Sequence, residues 1–177
     1  MGAQTQADLF PLIRGGGLFL VIVGGAILLG ALQFRWRNAL LGAGAALATA
    51  ATIITATRLG APYGPPTRLQ IGALIVAVLL EVVALSWVMR RFSPRGERAL
   101  TIAVLSVVGA HFVVMAPAFG PLVVLLGLLT VANALAGVYF RTYSLRTLWA
   151  VDGFLKMSLG AAMFDGQFLP CFPCAPA

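Results

Sequence analysis

The amino-acid sequence predicts an all-α, polytopic integral membrane protein, a bundle of six transmembrane helices with both termini outside. This fold class is predicted by three observations: the composition, the lengths of the apolar runs and the placement of the arginines. Of 177 residues, 60% are hydrophobic and 10% charged, and the mean hydropathy is +0.99. An average soluble domain carries about 25% charged residues, and a soluble chain this short leaves much of its surface in water. A bilayer is therefore the expected solvent for most of the chain.

Six apolar runs are each long enough to cross a hydrocarbon core of about 30 Å as a helix, because a helix rises about 1.5 Å per residue. The predicted helices cover approximately residues 12–32, 39–56, 69–89, 99–116, 121–140 and 148–164. Residues 1–177 are predicted to form a single transmembrane domain, in which residues 165–177 are a short extracytoplasmic tail.

The segments between the runs disfavour a helix in lipid, each for its own reason. RWRN (35–38) places two charges after the first run, and GAPYGPP (60–66) combines prolines that lack an N–H with glycines that lose entropy in a helix. RRFSPRGER (90–98) is a charged loop that contains one proline and one glycine. PAFGP (117–121) is an uncharged hairpin, and RTYSLRT (141–147) is short and basic.

The distribution of Lys and Arg between the loops predicts the orientation of the helices. With the N-terminus outside, the inside loops carry Arg35, Arg37, Arg90, Arg91, Arg95, Arg98, Arg141 and Arg146, and the outer segments carry Arg14, Arg58 and Arg68. The N-terminal segment lacks the basic region of a signal peptide and contains Asp8, so the first helix is expected to remain uncleaved. The expected location is a cell membrane of the bacterial inner-membrane type, crossed several times.

Net charge and small residues indicate the partners of the chain. The net charge of +7 is interpreted as the positive-inside bias and as attraction to anionic lipid headgroups, and no nucleic acid is expected to bind. The first two helices are rich in Gly and Ala, a composition that promotes close helix packing in lipid. This composition is interpreted as packing within one chain, with a homo-oligomer or a partner in a membrane complex as the alternative.

Five polar residues lie inside the predicted helices: Glu81, His111, Asn133, Asp152 and Lys156. Ionisable groups are costly in lipid and usually face the interior of a bundle. The predicted topology places four of them in one broad layer and His111 in the outer half. Asp152 and Lys156, four residues apart, can form an ion pair whose hydrogen bonds Asn133 completes. Glu81 is then left as a second acid without an amine partner. An intramembrane carboxyl group that can titrate is what proton-coupled transport requires.

The leading functional prediction is permeation or transport of a proton, an ion or a small polar solute through this polar layer. Glu81 is the predicted titrating group, Asp152 and Lys156 form a switchable pair, and His111 lines the outer approach. The alternative is a non-catalytic accessory or assembly subunit of a larger membrane complex, in which the ion pair only specifies packing. The sequence shows no credible catalytic triad and no phosphate-binding loop, so no enzyme, cofactor or metal site is predicted.

The chain's two cysteines, Cys171 and Cys174, lie in the C-terminal tail CFPCAPA. On the outer side of a membrane they are predicted to form a small structural disulfide or to remain free thiols. Redox catalysis is disfavoured because there is no second pair, and a zinc site would need four ligands.

The stretch DGFLK (152–156) resembles the last-helix element of the microbial rhodopsins. The resemblance implies a retinal-like pigment bound to Lys156 as a Schiff base, which Asp152 would stabilise with Glu81 as a second counterion. It covers residues 152–156 alone. The chain has six predicted helices where those proteins have seven, and its last helix is predicted to run in the opposite direction. Pigment binding at Lys156 is the third functional hypothesis.

Overall fold

A computed structural model describes residues 9–58, 65–140 and 142–165, and over these ranges the chain is helical and forms no strand. The long helices have 18 to 25 residues and correspond to the six predicted runs. They are α1 (Ile13–Leu32), α2 (Arg37–Arg58), α3 (Arg68–Phe92), α4 (Glu97–Val114), α5 (Pro121–Tyr139) and α6 (Leu145–Asp165). The predicted disulfide between Cys171 and Cys174 and most of the tail lie outside the described residues.

Five of the helical segments are long and apolar enough to cross a membrane. These segments are Ile13–Leu32, Phe34–Thr55, Arg68–Arg95, Glu97–Val114 and Pro121–Tyr139. Helix α6 has a similar length, 21 residues, but it contains Asp152 and Lys156, which lower its hydropathy. The described part of the chain is therefore an all-helical bundle with five candidate membrane-spanning helices and a sixth helix that carries an ion pair.

Several helix ends differ from the sequence prediction by two or three residues, and for two of them the sequence gives a physical reason. Helix α3 continues past residue 89 to Phe92, because Arg90 and Arg91 occupy its last turn, where cations interact favourably with the helix dipole. Helix α4 ends at Val114 instead of residue 116, and a short helix, Ala116–Phe119, follows it. Pro117 lacks the N–H that would continue the hydrogen-bond ladder of α4, so the chain turns there.

Glycines with positive φ angles precede α4 and α5. Gly96 has a φ of 94° and Gly120 a φ of 84°, a region in which residues with a Cβ are strained. Pro121 follows as the first residue of α5. The backbone N–H at this position has no partner within a helix, so a proline costs no hydrogen bond there. The uncharged hairpin predicted for PAFGP is thus a short helix closed by a glycine.

The helices pack side by side in the order α2, α1, α6, α5, α4, α3. The main apolar core lies among the four inner helices and contains Leu20 from α1, Phe112 from α4, Leu126 from α5 and Met163 from α6. Helices α2 and α3 lie at the two ends of this row and are the least buried of the candidate spans. Their exposed faces are rich in large apolar side chains, as expected for surfaces that meet lipid.

Glycines bring α1 and α6 into backbone contact, and the two helices run antiparallel. A Cβ atom added to Gly24 would lie 2.7 Å from the carbonyl oxygen of Gly153, and one added to Gly160 would lie 2.8 Å from that of Gly17. These distances leave no space for a side chain on either helix. In lipid, where apolar burial gives helices no reason to associate, such close approach provides the van der Waals packing that holds them together.

We expect Gly24→Ala to destabilise the protein by about 1–3 kcal/mol, because its new methyl group must displace the backbone of α6. Gly42→Ala on α2 is the matched control, since a Cβ there meets nothing within 4 Å. Both variants gain the same helix propensity, so their difference isolates the contact. Thermal unfolding of the purified protein in detergent measures it, and equal Tm values for the two variants would contradict a close α1–α6 contact.

Candidate functional site

Asp152 and Lys156 form a buried ion pair on α6. Lys156 Nζ donates a hydrogen bond to Asp152 Oδ1, one helical turn away, and both residues are 4% exposed. The ammonium group also lies 5.6 Å from the centre of the Phe112 ring on α4, within the range of a cation–π interaction. The two charges therefore neutralise one another inside the bundle, as their spacing predicts.

Asn133 connects α5 to the first turns of α6. Its Nδ2 atom donates to the backbone carbonyl of Leu148 at 3.0 Å, and the hydroxyl of Tyr143 donates to its Oδ1 atom at 3.3 Å. The amide thus holds two helices and the loop between them. Both of these hydrogen bonds go to residues outside the Asp152–Lys156 pair, whereas the sequence predicted that Asn133 completes the hydrogen bonds of that pair.

Glu81 and His111 form a second pair, between α3 and α4. Glu81 Oε2 lies 3.4 Å from His111 Nε2, and His111 Nδ1 lies 3.1 Å from the carbonyl oxygen of Ala77. A carbonyl only accepts, so Nδ1 must carry a hydrogen. With one further proton, either on His111 Nε2 or on the Glu81 carboxyl group, the pair has no net charge. Glu81, which the sequence left without an amine partner, faces an imidazole.

A small cavity lies beside the Glu81–His111 pair. It has a volume of about 150 Å³ and is lined by both polar side chains and by apolar residues of the two helices, Ala77, Leu80, Ala84, Val107, Ala110 and Val114. Leu80 and Val114 in its wall are exposed, so the cavity opens to the surface of the bundle. The side chain of Glu81 is 26% exposed and that of His111 only 7% exposed. Access to the pair is therefore from the side of Glu81.

The Asp152–Lys156 pair and the Glu81–His111 pair are separate sites. The Phe112 ring lies between them, with its centre 5.7 Å from that of the His111 ring and 5.6 Å from Lys156 Nζ. Among the described residues no hydrogen bond joins one pair to the other. The predicted topology placed Glu81 in one layer with Asn133, Asp152 and Lys156, and His111 apart from them in the outer half. The structure instead brings Glu81 and His111 together and separates them from the pair on α6.

Arg98, one of the charges of the 90–98 loop, has a structural role that its position in the sequence does not indicate. Its guanidinium group donates to the carbonyl oxygens of Gly137 at 2.7 Å, Phe140 at 3.0 Å and Tyr143 at 2.6 Å. The last carbonyls of a helix have no intrahelical partner, and a cation is favourable at this end of the helix dipole. Arg98 therefore fixes the start of α4 to the end of α5. Nothing in the spacing of the sequence distinguishes it from the neighbouring arginines.

Possible metal ligands are sparse in the described part of the chain. Glu81 and His111 supply two donor groups, and no group of three His, Cys, Asp or Glu residues lies together in the ranges described. The chemistry that the geometry supports is the exchange of a proton between carboxylate, imidazole and water.

The helices long and apolar enough to cross a bilayer define the chain as a multi-pass membrane protein of the all-α class. It belongs to the family described as "Family of unknown function (DUF6609)", which it matches over residues 4–167. The match includes all six long helices, the Asp152–Lys156 pair and the Glu81–His111 pair, and it ends before Cys171 and Cys174. No curated protein and no solved structure matches the chain.

Removing one partner of the α6 ion pair leaves an uncompensated charge in the bundle. We expect Asp152→Leu and Lys156→Met each to destabilise the protein by about 3–5 kcal/mol, and the double variant to regain most of that loss. A double-mutant cycle of unfolding free energies in detergent checks this. Additive losses in the double variant would show that the two side chains do not depend on one another.

Proposed function

We propose that the protein moves protons across a membrane, alone or together with an ion or a small polar solute, and that Glu81 and His111 are its proton-binding pair. The observation that carries the proposal is a half-buried acid 3.4 Å from a buried imidazole, with both side chains lining a cavity of about 150 Å³. Intramembrane ionisable residues in contact with water are typical of proton pathways. The pair lies near the middle of α3, which is far from either end of that helix.

Each residue has a distinct part in the proposed proton transfer. The carbonyl group of Ala77 accepts from Nδ1 and holds the imidazole so that Nε2 faces the carboxylate. Glu81, the more exposed partner, exchanges a proton with water in the cavity, and His111 is the partner on the inner side. Addition or loss of a proton gives the pair a net charge, which a low-dielectric site disfavours. The neutral state with one shared proton is therefore the resting state of this mechanism.

The proposal includes six membrane crossings with both termini outside. Support for a sixth crossing comes from α6 itself, because its two charges pair with one another and are buried among α1, α4 and α5 instead of facing lipid. The antiparallel contact of α1 with α6 also supports termini on one side. The excess of arginines in the alternate loops supports the orientation.

Reporter enzymes fused to each end of the chain test this topology. We expect a reporter that is active only outside the cytoplasm to be active at both the N-terminus and the C-terminus, since six crossings return the chain to its starting side. A chain that crosses five times, with α6 lying outside the hydrocarbon core, would place the two reporters on opposite sides and would overturn the six-helix topology.

Proton flux into proteoliposomes tests the function. With a pH gradient and a pH-sensitive dye inside the vesicles, we expect Glu81→Gln and His111→Gln each to lower the initial rate at least tenfold, because neither amide exchanges a proton at neutral pH. Ser86→Ala on α3 is the matched control, since its hydroxyl group bonds only to the carbonyl of Val82 in its own helix. Wild-type rates in both site variants, at equal protein incorporation, would falsify the proposal.

A second candidate function is that of a non-catalytic subunit in a larger membrane complex, and one feature of α2 favours it. Gly44 and Ala48 pack against α1, whereas Gly42, Ala46 and Ala50 are exposed. An exposed row of small residues allows another helix to approach closely in lipid. Purification from the native membrane discriminates the candidates, because a stoichiometric partner supports a subunit role and a homo-oligomer opposes it.

Pigment attachment at Lys156 stays a prediction. The amine of Lys156 is buried against Asp152 and Phe112, and the cavity beside Glu81 is lined by other residues.

A further inference from the structure

A second, larger groove lies on the surface of the bundle between the end of α3, the first half of α4 and the end of α5. Its volume is about 660 Å³. Most of its walls are apolar side chains, including Val88, Ile102 and Val138, and Arg95 and Arg98 lie at one end. The groove is therefore amphipathic along its length, with cations at one end and hydrocarbon surface beyond them.

Positive charge is in excess at the arginine end. Arg90, Arg91 and Arg95 are exposed in this region, and the guanidinium group of Arg95 lies 5.0 Å from the centre of the Phe92 ring, at the groove. The nearest acid in the sequence, Glu97, forms an ion pair with Arg37 of α2. Arg98 adds a further charge, because its hydrogen bonds go to neutral carbonyl groups. An anionic group would be attracted to this end.

The length and the lining of the groove fit one hydrocarbon chain. Along α4 it extends from Arg98 to Val107, nine residues, which is about 14 Å at the rise of an α-helix. Half of a hydrocarbon core of about 30 Å is a similar distance, so the groove covers the depth of one leaflet. Ser106, a polar residue of the wall, donates its hydroxyl hydrogen to the carbonyl of Ile102 and needs no partner from a ligand.

The ring of Trp87 completes one edge of the groove near the arginines. Trp87 is 60% exposed and lies one turn from Arg90 and Arg91 on α3. Tryptophan prefers the boundary between headgroups and hydrocarbon, and arginine prefers the headgroup layer. The order of Arg95, Trp87 and Val107 along the groove is thus the order of headgroup, boundary and acyl chain in a lipid.

We propose that this groove is a binding site for one anionic phospholipid from the leaflet on the side of the arginine-rich 90–98 loop. The phosphate group of the lipid lies at Arg95, with Arg98 contributing to the positive field. One acyl chain lies along α4 between Ile102 and Val138 and ends near Val107. The net negative charge of the headgroup is the feature that selects the lipid, since the apolar part of the groove accepts any chain of this length.

Native mass spectrometry of the full-length protein in detergent tests the site with two probes of identical acyl chains, phosphatidylglycerol and phosphatidylcholine. We expect one phosphatidylglycerol to be retained at least fivefold more often than one phosphatidylcholine. Arg95→Gln is expected to reduce that preference at least threefold, and Arg35→Gln, which removes an exposed arginine outside the groove, to leave it unchanged. Equal retention of the two lipids, or equal effects of the two substitutions, overturns the site.

Blocking the groove and measuring proximity to it provide an independent check. Ala103→Phe places a ring in the groove and is expected to lower retention of both lipids at least threefold. Phosphatidylglycerol with brominated chains is expected to quench tryptophan fluorescence in the wild-type protein, and Trp87→Phe is expected to remove most of that quenching. Quenching that is unchanged in Trp87→Phe places the lipid elsewhere and overturns the proposal.

Discussion

Helices α1 and α6 approach so closely that glycine backbones touch at two levels, Gly17 against Gly160 and Gly24 against Gly153. The rest of the bundle depends on this contact because it joins the first and last helices of the chain. Helix α2 packs against α1, and helix α5 packs against α6. A helix with two charged residues in its middle can be accommodated in such a bundle only if neighbours exclude lipid from them. The glycines of α1 allow that neighbour to come near enough.

The buried polar groups follow from the helix order. In the middle of the row, α6 has packed neighbours on several sides, and its Asp152–Lys156 pair is almost fully buried. At one end of the row, α3 has a packed neighbour on one side only, so Glu81 remains partly exposed although His111 is buried. The two pairs thus differ in exposure because their helices lie at different depths within the row.

Two open spaces lie along the boundary between α3 and α4. They are the small cavity beside Glu81 and the larger groove toward the 90–98 loop, and Val107 lines both. Arg98 fixes the start of α4 to the end of α5, so the inner wall of this boundary is firmly held. The outer wall, α3, is held at its start by a capping box between Thr67 and Gln70 and by the hydrogen bond from Gln70 to the carbonyl of Leu9. A lipid in the groove would pack beside the same helix that carries Glu81.

The class of protein, the six helices and the pairing of Asp152 with Lys156 can all be predicted from the amino-acid sequence. These features are local: an apolar run must be long enough to cross lipid, prolines and glycines end it, and residues four apart meet on one helix face. The contacts of Glu81 with His111, of Asn133 with Leu148 and of Arg98 with α5 depend on how the helices pack. Those contacts connect residues on different helices. The order in which apolar helices pack depends on how well their surfaces fit together, and the spacing of residues within one helix does not predict that fit.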